Sequence, residues 1–427
     1  MMKFASLASA SKRLFGACKL LCAASALAAL SCAAQARGIS ELNTDYPTAL
    51  SVQIDPSDIS DEDLNEIRAA GFEFVRFGVR PPLKSVNPGQ IDYSKLIRRV
   101  RNARLDAIVT LFGGREIWGH EPTDLGSGQR EKLFANFAAE FMNAHTADVA
   151  VWELWNEPDY KTFLNPALFS NFETATAEFC SSIAQLKNPP KIVMGFGFAK
   201  LPFNQGQVPP QLENAFVSGA KANNCLTDIS IHPYRSIPET AIADYGKLRA
   251  KLDQLQLNKV GIVASEWGYA SYLPVRDRNT QAALILREYL TNVAAGIKLL
   301  NLYAWKDRGT SVVSREDNFG LKSKAGEKKE AFSSLTEFLK IVRTSKKVSY
   351  DSNGGLNKLV LSRGTTLLHV VWTQNSEQNV LIPAAKGKKC TRVDFFPQVH
   401  HGSCGNPVEG GVAAKASSYP VLFSVAD

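Results

Sequence analysis

The sequence is poor in the residues from which metal and dinucleotide sites are built. It holds only six histidines among 427 residues. No Cys-x-x-Cys occurs beyond residue 36, and His400 and His401 beside Cys404 lack the spaced partners of a zinc site. No glycine fingerprint follows the first predicted strand, and Gly195 with Gly197 is too weak a match to replace it. We therefore expect neither a metal ion nor an organic cofactor.

Clustered positive charge and long apolar runs are also scarce. The formal net charge is +8, but half of it comes from basic residues in the first 36 positions, which contain no acid. Mixed runs such as 322–330 and 386–389 are typical of solvated surfaces, so we expect no nucleic-acid partner. The apolar run Leu20–Leu30 is well short of the roughly 20 residues that span a bilayer, so no transmembrane segment is predicted.

The first 36 residues have the pattern of a secretory signal peptide. Basic residues precede the apolar run, and Ala34 and Ala36 fit an A-x-A cleavage site. We expect a mature chain that starts near Arg37 and is secreted or periplasmic. Lipidation at Cys32 stays open, although Ala29 is a poor match to such sites.

Cysteine usage agrees with an oxidising compartment. The leader carries three of the seven cysteines, and the remaining four are Cys180, Cys225, Cys390 and Cys404. An even number predicts two disulfides. Sequence spacing favours 180 with 225 and 390 with 404, although three connectivities are possible.

Short β-branched segments alternate with amphipathic helical stretches eight times. The predicted strands are Ala49–Ile54, Phe72–Phe77, Ala107–Phe112, Val149–Leu154, Ile192–Phe196, Asp228–Ile231, Val260–Ala264 and Leu299–Tyr303. This alternation is typical of βα units with a parallel sheet. A doubly wound open sheet would also fit it. Eight units favour a closed (β/α)8 TIM barrel of the α/β class, which we predict over residues 37–345.

Beyond about Lys346 the pattern changes to short strands alone. They are predicted at Leu359–Leu361, Leu367–Thr373, Val380–Ile382, Val393–Phe396 and Val421–Val425. We predict a small C-terminal all-β domain over residues 346–427. It either covers part of the outer surface of the barrel or binds sugar.

Two predicted barrel strands end in glutamate-containing motifs. The fourth ends in Trp152-Glu-Leu-Trp-Asn-Glu-Pro-Asp159 and the seventh in Ala264-Ser-Glu-Trp-Gly268. The carboxyl ends of barrel strands meet at one face, where catalytic groups converge. Glycoside hydrolysis needs two carboxyl groups at one bond, one protonated and one ionised.

In these motifs the sequence resembles clan A of the glycoside hydrolases, which carry Asn-Glu at the end of strand four and a second Glu at the end of strand seven. Asn156, Glu157 and Glu266 stand at those positions. The similarity is strongest to family 39 and its bacterial exopolysaccharide-cleaving relatives, because Ile231-His-Pro-Tyr234 lies between the two motifs. It runs from about residue 48 to 344 and leaves the C-terminal strands unmatched.

The resemblance implies a retaining β-glycosidase with Glu157 as acid/base and Glu266 as nucleophile. It also implies that Arg76 hydrogen-bonds the nucleophile, that Asn156 binds the sugar 2-hydroxyl, and that Tyr234 donates to Glu266. A salt bridge on the barrel rim is the alternative for Arg76.

The remaining site residues are expected around these. His232 is predicted to line the site, unless it is a hydrogen-bonded core histidine. Trp305 resembles the sugar platform of the clan, with packing as the alternative. Trp267 is a candidate for a cleft wall, as are Trp118, Trp152 and Trp155. Glu153 lies four residues before Glu157, and we expect it to be hydrogen-bonded inside the barrel.

The implied substrate is an extracellular polysaccharide or oligosaccharide, and we expect a monomer. A catalytically inactive sugar-binding barrel and a transglycosylase are alternatives with the same residues. An aldolase or a metallohydrolase is disfavoured, because no lysine stands at the catalytic strand ends and the histidines are scattered.

Overall fold

The fold is described by a computed structural model that covers residues 38–80, 91–113, 127–164, 171–222, 225–384, 389–405 and 407–426. The predicted leader lies outside these residues, as does Trp118.

Eight parallel strands close into a barrel in sequence order, which confirms the predicted (β/α)8 fold. The strands are β1 Ala49–Gln53, β2 Phe74–Val79, β3 Asp106–Leu111, β4 Val151–Leu154, β5 Val193–Phe198, β6 Asp228–Ile231, β7 Gly261–Trp267 and β8 Leu299–Leu302. The helices that follow them are α1 Asp61–Ala69, α2 Tyr93–Asn102, α3 Ser127–His145, α4 Phe172–Ala184, α5 Pro210–Lys221, α6 Ala241–Gln254, α7 Arg278–Ala295 and α8 Glu330–Val342.

Strand bounds differ from the predicted ones by up to three residues. β2 starts and ends two residues later than predicted, so Arg76 lies in mid-strand instead of at its end. β7 continues through Glu266 to Trp267 instead of ending at Ala264. Apolar periodicity locates a strand but not its end, because polar residues that face the barrel interior also pair in the sheet.

The barrel interior is apolar at the amino ends of the strands and polar toward the carboxyl ends. A buried cluster that includes Phe74, Met194 and Val263 closes the lower end, together with Ile39 from a 3₁₀ turn. The Ile39 amide donates to both oxygens of buried Asp228, at 3.0 and 3.1 Å. Above this plug the interior is charged.

The C-terminal strands form two antiparallel sheets. A six-stranded sheet has the order β14-β13-β17-β11-β10-β9 and a three-stranded sheet the order β12-β16-β15. The strands are β9 Lys346–Asn353, β10 Leu356–Arg363, β11 Thr366–Thr373, β12 Gln378–Pro383, β13 Cys390–Asp394, β14 His400–Ser403, β15 Pro407–Val408, β16 Gly411–Ala416 and β17 Val421–Val425. This confirms an all-β region, with more strands than the five predicted.

The β region packs on α7 and α8 of the barrel. Glu239, after β6, accepts two 2.8 Å hydrogen bonds from Arg287 of α7 and one of 2.6 Å from Trp372 Nε1 of β11. The three side chains are buried. One apolar core also runs from the barrel through Phe338 to Phe395. Because this core crosses position 345, the boundary between two domains there remains a prediction.

The two favoured cysteine pairings are both present. Cys180 is bonded to Cys225, and Cys390 to Cys404. The first disulfide joins α4 to the segment before β6, and the second joins β13 to the end of β14. Among the described residues, no helix combines the length and the apolar character that crossing a membrane requires.

Candidate active site

Glu157 is held by an unusual backbone conformation just after β4. Trp155 and Glu157 both have positive φ angles, of 73° and 49°. Non-glycine residues rarely adopt this region unless the surrounding structure enforces it. Here the Trp155 amide donates to the Leu111 carbonyl at 2.7 Å, and the Glu157 amide donates to the Gly197 carbonyl at 3.0 Å. The two neighbouring strands therefore fix the direction of the Glu157 side chain.

The two predicted carboxylates meet at the carboxyl face of the barrel. Glu157 follows β4 and Glu266 lies in β7, three strands away in the barrel, yet a side-chain oxygen of each lies within 4.8 Å of one of the other. Their side chains are 16% and 17% exposed, so both are open to solvent from one side only. Two carboxyl groups at this separation can act on the same bond.

Arg76 connects most of the polar groups beneath this pair. Its Nη1 donates to Glu266 Oε2 and to Gln53 Oε1, both at 2.9 Å, and its Nη2 donates to Asn156 Oδ1 at 2.9 Å. Its Nε donates to Glu153 Oε2 at 2.8 Å. Burial alone would lower the pKa of Arg76, but the carboxylates of Glu153 and Glu266 outweigh it and raise that pKa. The guanidinium is therefore permanently charged and buried, not part of a salt bridge on the rim.

Glu153 lies inside the barrel and is hydrogen-bonded there, as its position four residues before Glu157 predicts. Besides Arg76, it accepts a 2.7 Å hydrogen bond from Thr110. Burial would raise the pKa of Glu153, but Arg76 and then His232 overcome burial and lower it. An ionised Glu153 thus balances the charge of Arg76 below the site.

His232 contacts the other carboxylate. Its Nδ1 lies 2.8 Å from Glu157 Oε1, and its side chain is fully buried. Burial would lower the pKa of His232, but Glu266 and the hydrogen-bonded Glu157 outweigh burial and raise it. Gly197 makes room for this ring: with φ at 61°, a Cβ there would lie 3.0 Å from His232 Nε2. Of the two glycines in that weak match, Gly197 therefore has a steric role.

Two tyrosines lie beside Glu266. Tyr234, which follows β6, contacts it directly, and Tyr303, which follows β8, is close enough to be affected by its charge. The Tyr234 hydroxyl donates to Glu266 Oε1 at 3.0 Å, and burial raises the pKa of Tyr234 well above its usual value, so the hydroxyl stays a donor. Tyr303 is half-buried, and burial followed by the charge of Glu266 raises its pKa. Its ring packs on Phe319 with the centroids 5.2 Å apart.

The two tryptophans expected at the cleft are not there. Trp305 is 1% exposed, its Nε1 donates to Asp63 at 2.9 Å, and its ring packs between Phe72 and Phe332. Trp267 is fully buried, as are Trp152 and Trp155. A buried indole offers no face to a sugar, so the platform assignment of Trp305 and the cleft-wall assignments of Trp267, Trp152 and Trp155 were wrong. The cleft-wall assignment of Trp118 lies outside the described residues.

Tyr303 is the aromatic side chain that sequence analysis missed. It follows β8 directly, two residues before Trp305, and its closeness to the strand end is the signal that could have favoured it. Trp267 adjoins Glu266 in β7, and adjacent strand residues point to opposite faces of a sheet. The contacts of Gln53 and Thr110 to the buried charges had no signal in the sequence.

Glu157, His232 and Glu266 could also be considered as metal ligands, since one donor atom of each lies within 4.8 Å of the others. However, His232 Nδ1 already bonds Glu157, and the two Glu266 oxygens accept from Tyr234 and Arg76. A metal cation would meet the buried Arg76 charge and displace these donors. The hydrogen-bond donors already bound to Glu266 and Glu157 therefore fit a pair of hydrogen-bonded carboxyl groups better than a metal site.

Comparison of the sequence with family models and with curated proteins gives no significant match. Solved structures with the same fold include a family 39 glycoside hydrolase from Bacteroides cellulosilyticus WH2, with 17% identity, a TM-score of 0.73, and coverage of 90% of this chain and 81% of that one. A family 39 β-xylosidase from Caulobacter crescentus has 14% identity and a TM-score of 0.63, with coverage of 92% and 99%.

A family 30 endoxylanase from Clostridium papyrosolvens C71 is similar at 11% identity and a TM-score of 0.59, with coverage of 90% and 97%. In each case about nine-tenths of this chain is covered, so the similarity includes the C-terminal sheets as well as the barrel. At these identities the comparison shows a shared fold.

Proposed function

We propose that the chain is a retaining glycoside hydrolase that cleaves β-glycosidic bonds of an extracellular or periplasmic polysaccharide. The observation that carries this proposal is the distance of at most 4.8 Å between oxygens of Glu157 and Glu266. Retaining enzymes hold their two carboxyl groups about 5–5.5 Å apart, whereas inverting enzymes separate them by about 6.5–9.5 Å to admit a water. The distance in this chain therefore supports the retaining class.

The surroundings of the two carboxylates support different roles. Glu266 accepts hydrogen bonds from Arg76 and Tyr234 at 2.9 and 3.0 Å, which orient it and place a permanent positive charge beside it. It is therefore the nucleophile. Glu157 faces His232 instead of a permanent cation. It is the group that carries and releases a proton.

The proposed reaction has two displacements. In the first, an oxygen of Glu266 bonds to the anomeric carbon while the bond to the leaving oxygen breaks, and Glu157 transfers its proton to that oxygen. In the second, Glu157 takes a proton from water, the water oxygen bonds to the anomeric carbon, and Glu266 is released. If a sugar hydroxyl replaces water in this step, the same residues perform transglycosylation.

Asn156 supports the transition state in this proposal. Its Oδ1 is occupied by Arg76 Nη2, which orients the amide so that its NH2 group is left for a ligand. The residue is half-buried beside Glu157. A hydrogen bond from this NH2 group to the sugar 2-hydroxyl would strengthen as the ring flattens.

The substrate and the compartment follow from weaker observations. Two of the similar structures are described as a β-xylosidase and an endoxylanase, which makes xylan a first substrate to test. Two disulfides fit a protein exported by the predicted leader.

Variants of the two carboxylates test the function directly. With the mature chain and a panel of β-linked polysaccharides, Glu266→Ala should reduce turnover to background. Azide should then restore part of it on an activated aryl glycoside, with inverted product. Glu157→Ala should lower polymer turnover by about 10²–10⁴-fold while sparing substrates with good leaving groups.

Glu140→Ala is the matched control, because Glu140 is an exposed glutamate of α3 for which no contact with Glu157 or Glu266 is described. It should keep full activity. Wild-type turnover of the polymer by both the Glu157 and Glu266 variants would refute the proposal. Binding without hydrolysis by the wild type would favour the inactive sugar-binding barrel.

A further inference from the structure

A groove in the β region lies away from the two carboxylates. It measures about 760 Å³ and opens where the six-stranded sheet meets the three-stranded sheet. Ligand sites typically occupy about 300–1,000 Å³. Residues of β12, β13 and β16 line it, together with the segments that follow β13 and precede β17.

The groove combines aromatic surface with planar polar groups. Phe396 and Tyr419 are half-exposed on its wall, with ring centroids 5.3 Å apart and the rings inclined by 51°. Beside them, Arg392 and Asp394 form a two-bonded pair at 2.8 and 2.7 Å and remain 37% and 28% exposed. Aromatic faces contact the C–H faces of sugars, and paired planar groups can both donate to and accept from hydroxyls.

The charges of the groove are balanced. Arg392 faces Asp394, and Lys415 lies 3.9 Å from Glu377, which also lines the groove. A polyanion or a polycation would meet a like charge within the groove, whereas a neutral chain of hydroxyl groups would not. The lining therefore favours a neutral saccharide over a nucleic acid or a charged peptide.

The position of the groove relates it to the active site. Asn279, in the first turn of α7, completes the lining. A segment of ten residues joins the end of β7, which carries Glu266, to the start of α7. Because each barrel helix begins near the carboxyl ends of the strands, Asn279 lies toward the same face as the two carboxylates. A long polymer could contact both places.

We propose that this groove is a second carbohydrate-binding site, which holds a neutral polysaccharide chain outside the catalytic cleft. The proposal rests on the proposed function for the class of ligand. Most side chains that line the groove are separate from those that attach the β region to the barrel: Trp372 with Glu239 lies outside the lining, and in the Phe338–Phe395 contact only Phe395 also borders the groove. Binding here would raise the local concentration of polymer at the cleft.

The test measures polymer binding without turnover. The mature chain carrying Glu266→Gln is run through native gels that contain soluble arabinoxylan or mixed-linkage β-glucan, and the apparent Kd is read from its retardation. Adding Phe396→Ala and Tyr419→Ala should weaken binding about tenfold, as expected when two central aromatic contacts are lost. Lys346→Ala, at the exposed edge strand β9, is the control and should change nothing.

A second variant guards against misfolding. Asn379→Ala with Lys415→Ala removes two exposed lining residues and should also weaken binding, with an unchanged melting temperature. In the wild-type background, both double variants should lower kcat/KM on the polymer and leave an aryl glycoside unaffected. Equal retardation of the parent and both double variants, or retardation of the parent by neither polysaccharide, overturns the proposal. Failure of the proposed function would instead show as polymer turnover that survives the carboxylate variants.

Discussion

Two fully buried glutamates stand on the two sides of the barrel wall and behave oppositely. Glu153 points into the barrel from β4, where it accepts hydrogen bonds from Arg76 and Thr110. Glu288 lies on α7, outside the barrel, and neither of its oxygens has a hydrogen-bond partner in the described residues. The pKa of Glu153 is lowered, whereas burial raises the pKa of Glu288 well above its usual value.

The difference shows that burial alone does not set the charge of a carboxyl group in this protein. Both side chains are withdrawn from water, and only the one beside a guanidinium keeps its charge. Inside the barrel, that ionised group balances the cation that also contacts Glu266. Outside the barrel, a neutral acid is enclosed between helix and strands, with no charge to balance.

Removing the buried positive charge of Arg76 should have the largest effect on the stability of the protein. Arg76→Met leaves Glu153 buried without its partner, and breaking one side of a buried ion pair costs roughly 3–5 kcal/mol. We expect the free energy of unfolding, measured by urea denaturation, to fall by that amount. Activity on an aryl glycoside should fall as well, because Glu266 loses the same donor.

A paired change separates charge from packing. In the Arg76→Met background, Glu153→Gln removes the unbalanced charge and should recover part of the lost stability, since uncharged replacements of buried pairs are tolerated. It should not recover activity, because Glu266 still lacks its cation. A stability of Arg76→Met within about 1 kcal/mol of wild type would mean that water already reaches Glu153.

The barrel and its catalytic face could be predicted from the sequence, whereas the partners of the buried glutamates could not. Eight alternations and two glutamate motifs predict the barrel and the meeting of Glu157 with Glu266, because the carboxyl ends of parallel strands share one face. The sequence does not distinguish Glu153 from Glu288, since their partners depend on contacts between distant segments. Arg76 and Glu153 are 77 residues apart.

The errors in side-chain placement have a related cause. Trp305 and Tyr303 differ by two residues, and the turn after β8, not the strand period, decides which of them faces the cleft. Glu239 carried no motif, yet it joins Arg287 to Trp372, which is 133 residues away. Side-chain roles beyond the strand ends therefore required the packed structure.

Replacing Glu288, the neutral acid, should change the free energy of unfolding by less than Arg76→Met does and in the opposite direction. Glu288→Leu removes a buried polar group without a partner and keeps a good helix former in α7. The free energy of unfolding should therefore rise by roughly 1–3 kcal/mol. Thermal unfolding of the purified mature chain measures it. Activity should be unchanged, because the Glu288 carboxyl group has no hydrogen-bond partner among the described residues and so none at Glu157 or Glu266. A loss of stability would show that the carboxyl group has a favourable partner, such as a buried water.

The pH dependence of stability gives the finest test. A carboxyl whose pKa is raised by folding must keep its proton in the folded chain, so its contribution to stability declines as pH rises above its unfolded pKa of about 4.3. Burial raises the pKa of Asp228 to about 6, so its contribution to the decline ends near that pH. Between pH 7 and 9, Glu288 should still contribute to the decline in stability, with a slope of at most about 1.4 kcal/mol per pH unit.

The measurement must separate Glu288 from His232. The pKa of His232 is also raised, so its contribution to the stability of the protein declines with rising pH as well. The quantity to measure is therefore the difference in the free energy of unfolding between wild type and Glu288→Gln. That difference should grow with pH above 7, whereas Asp228→Asn should change the profile only below about pH 6. Parallel profiles for wild type and Glu288→Gln would mean that Glu288 is ionised in the folded protein, and the contrast with Glu153 would then disappear.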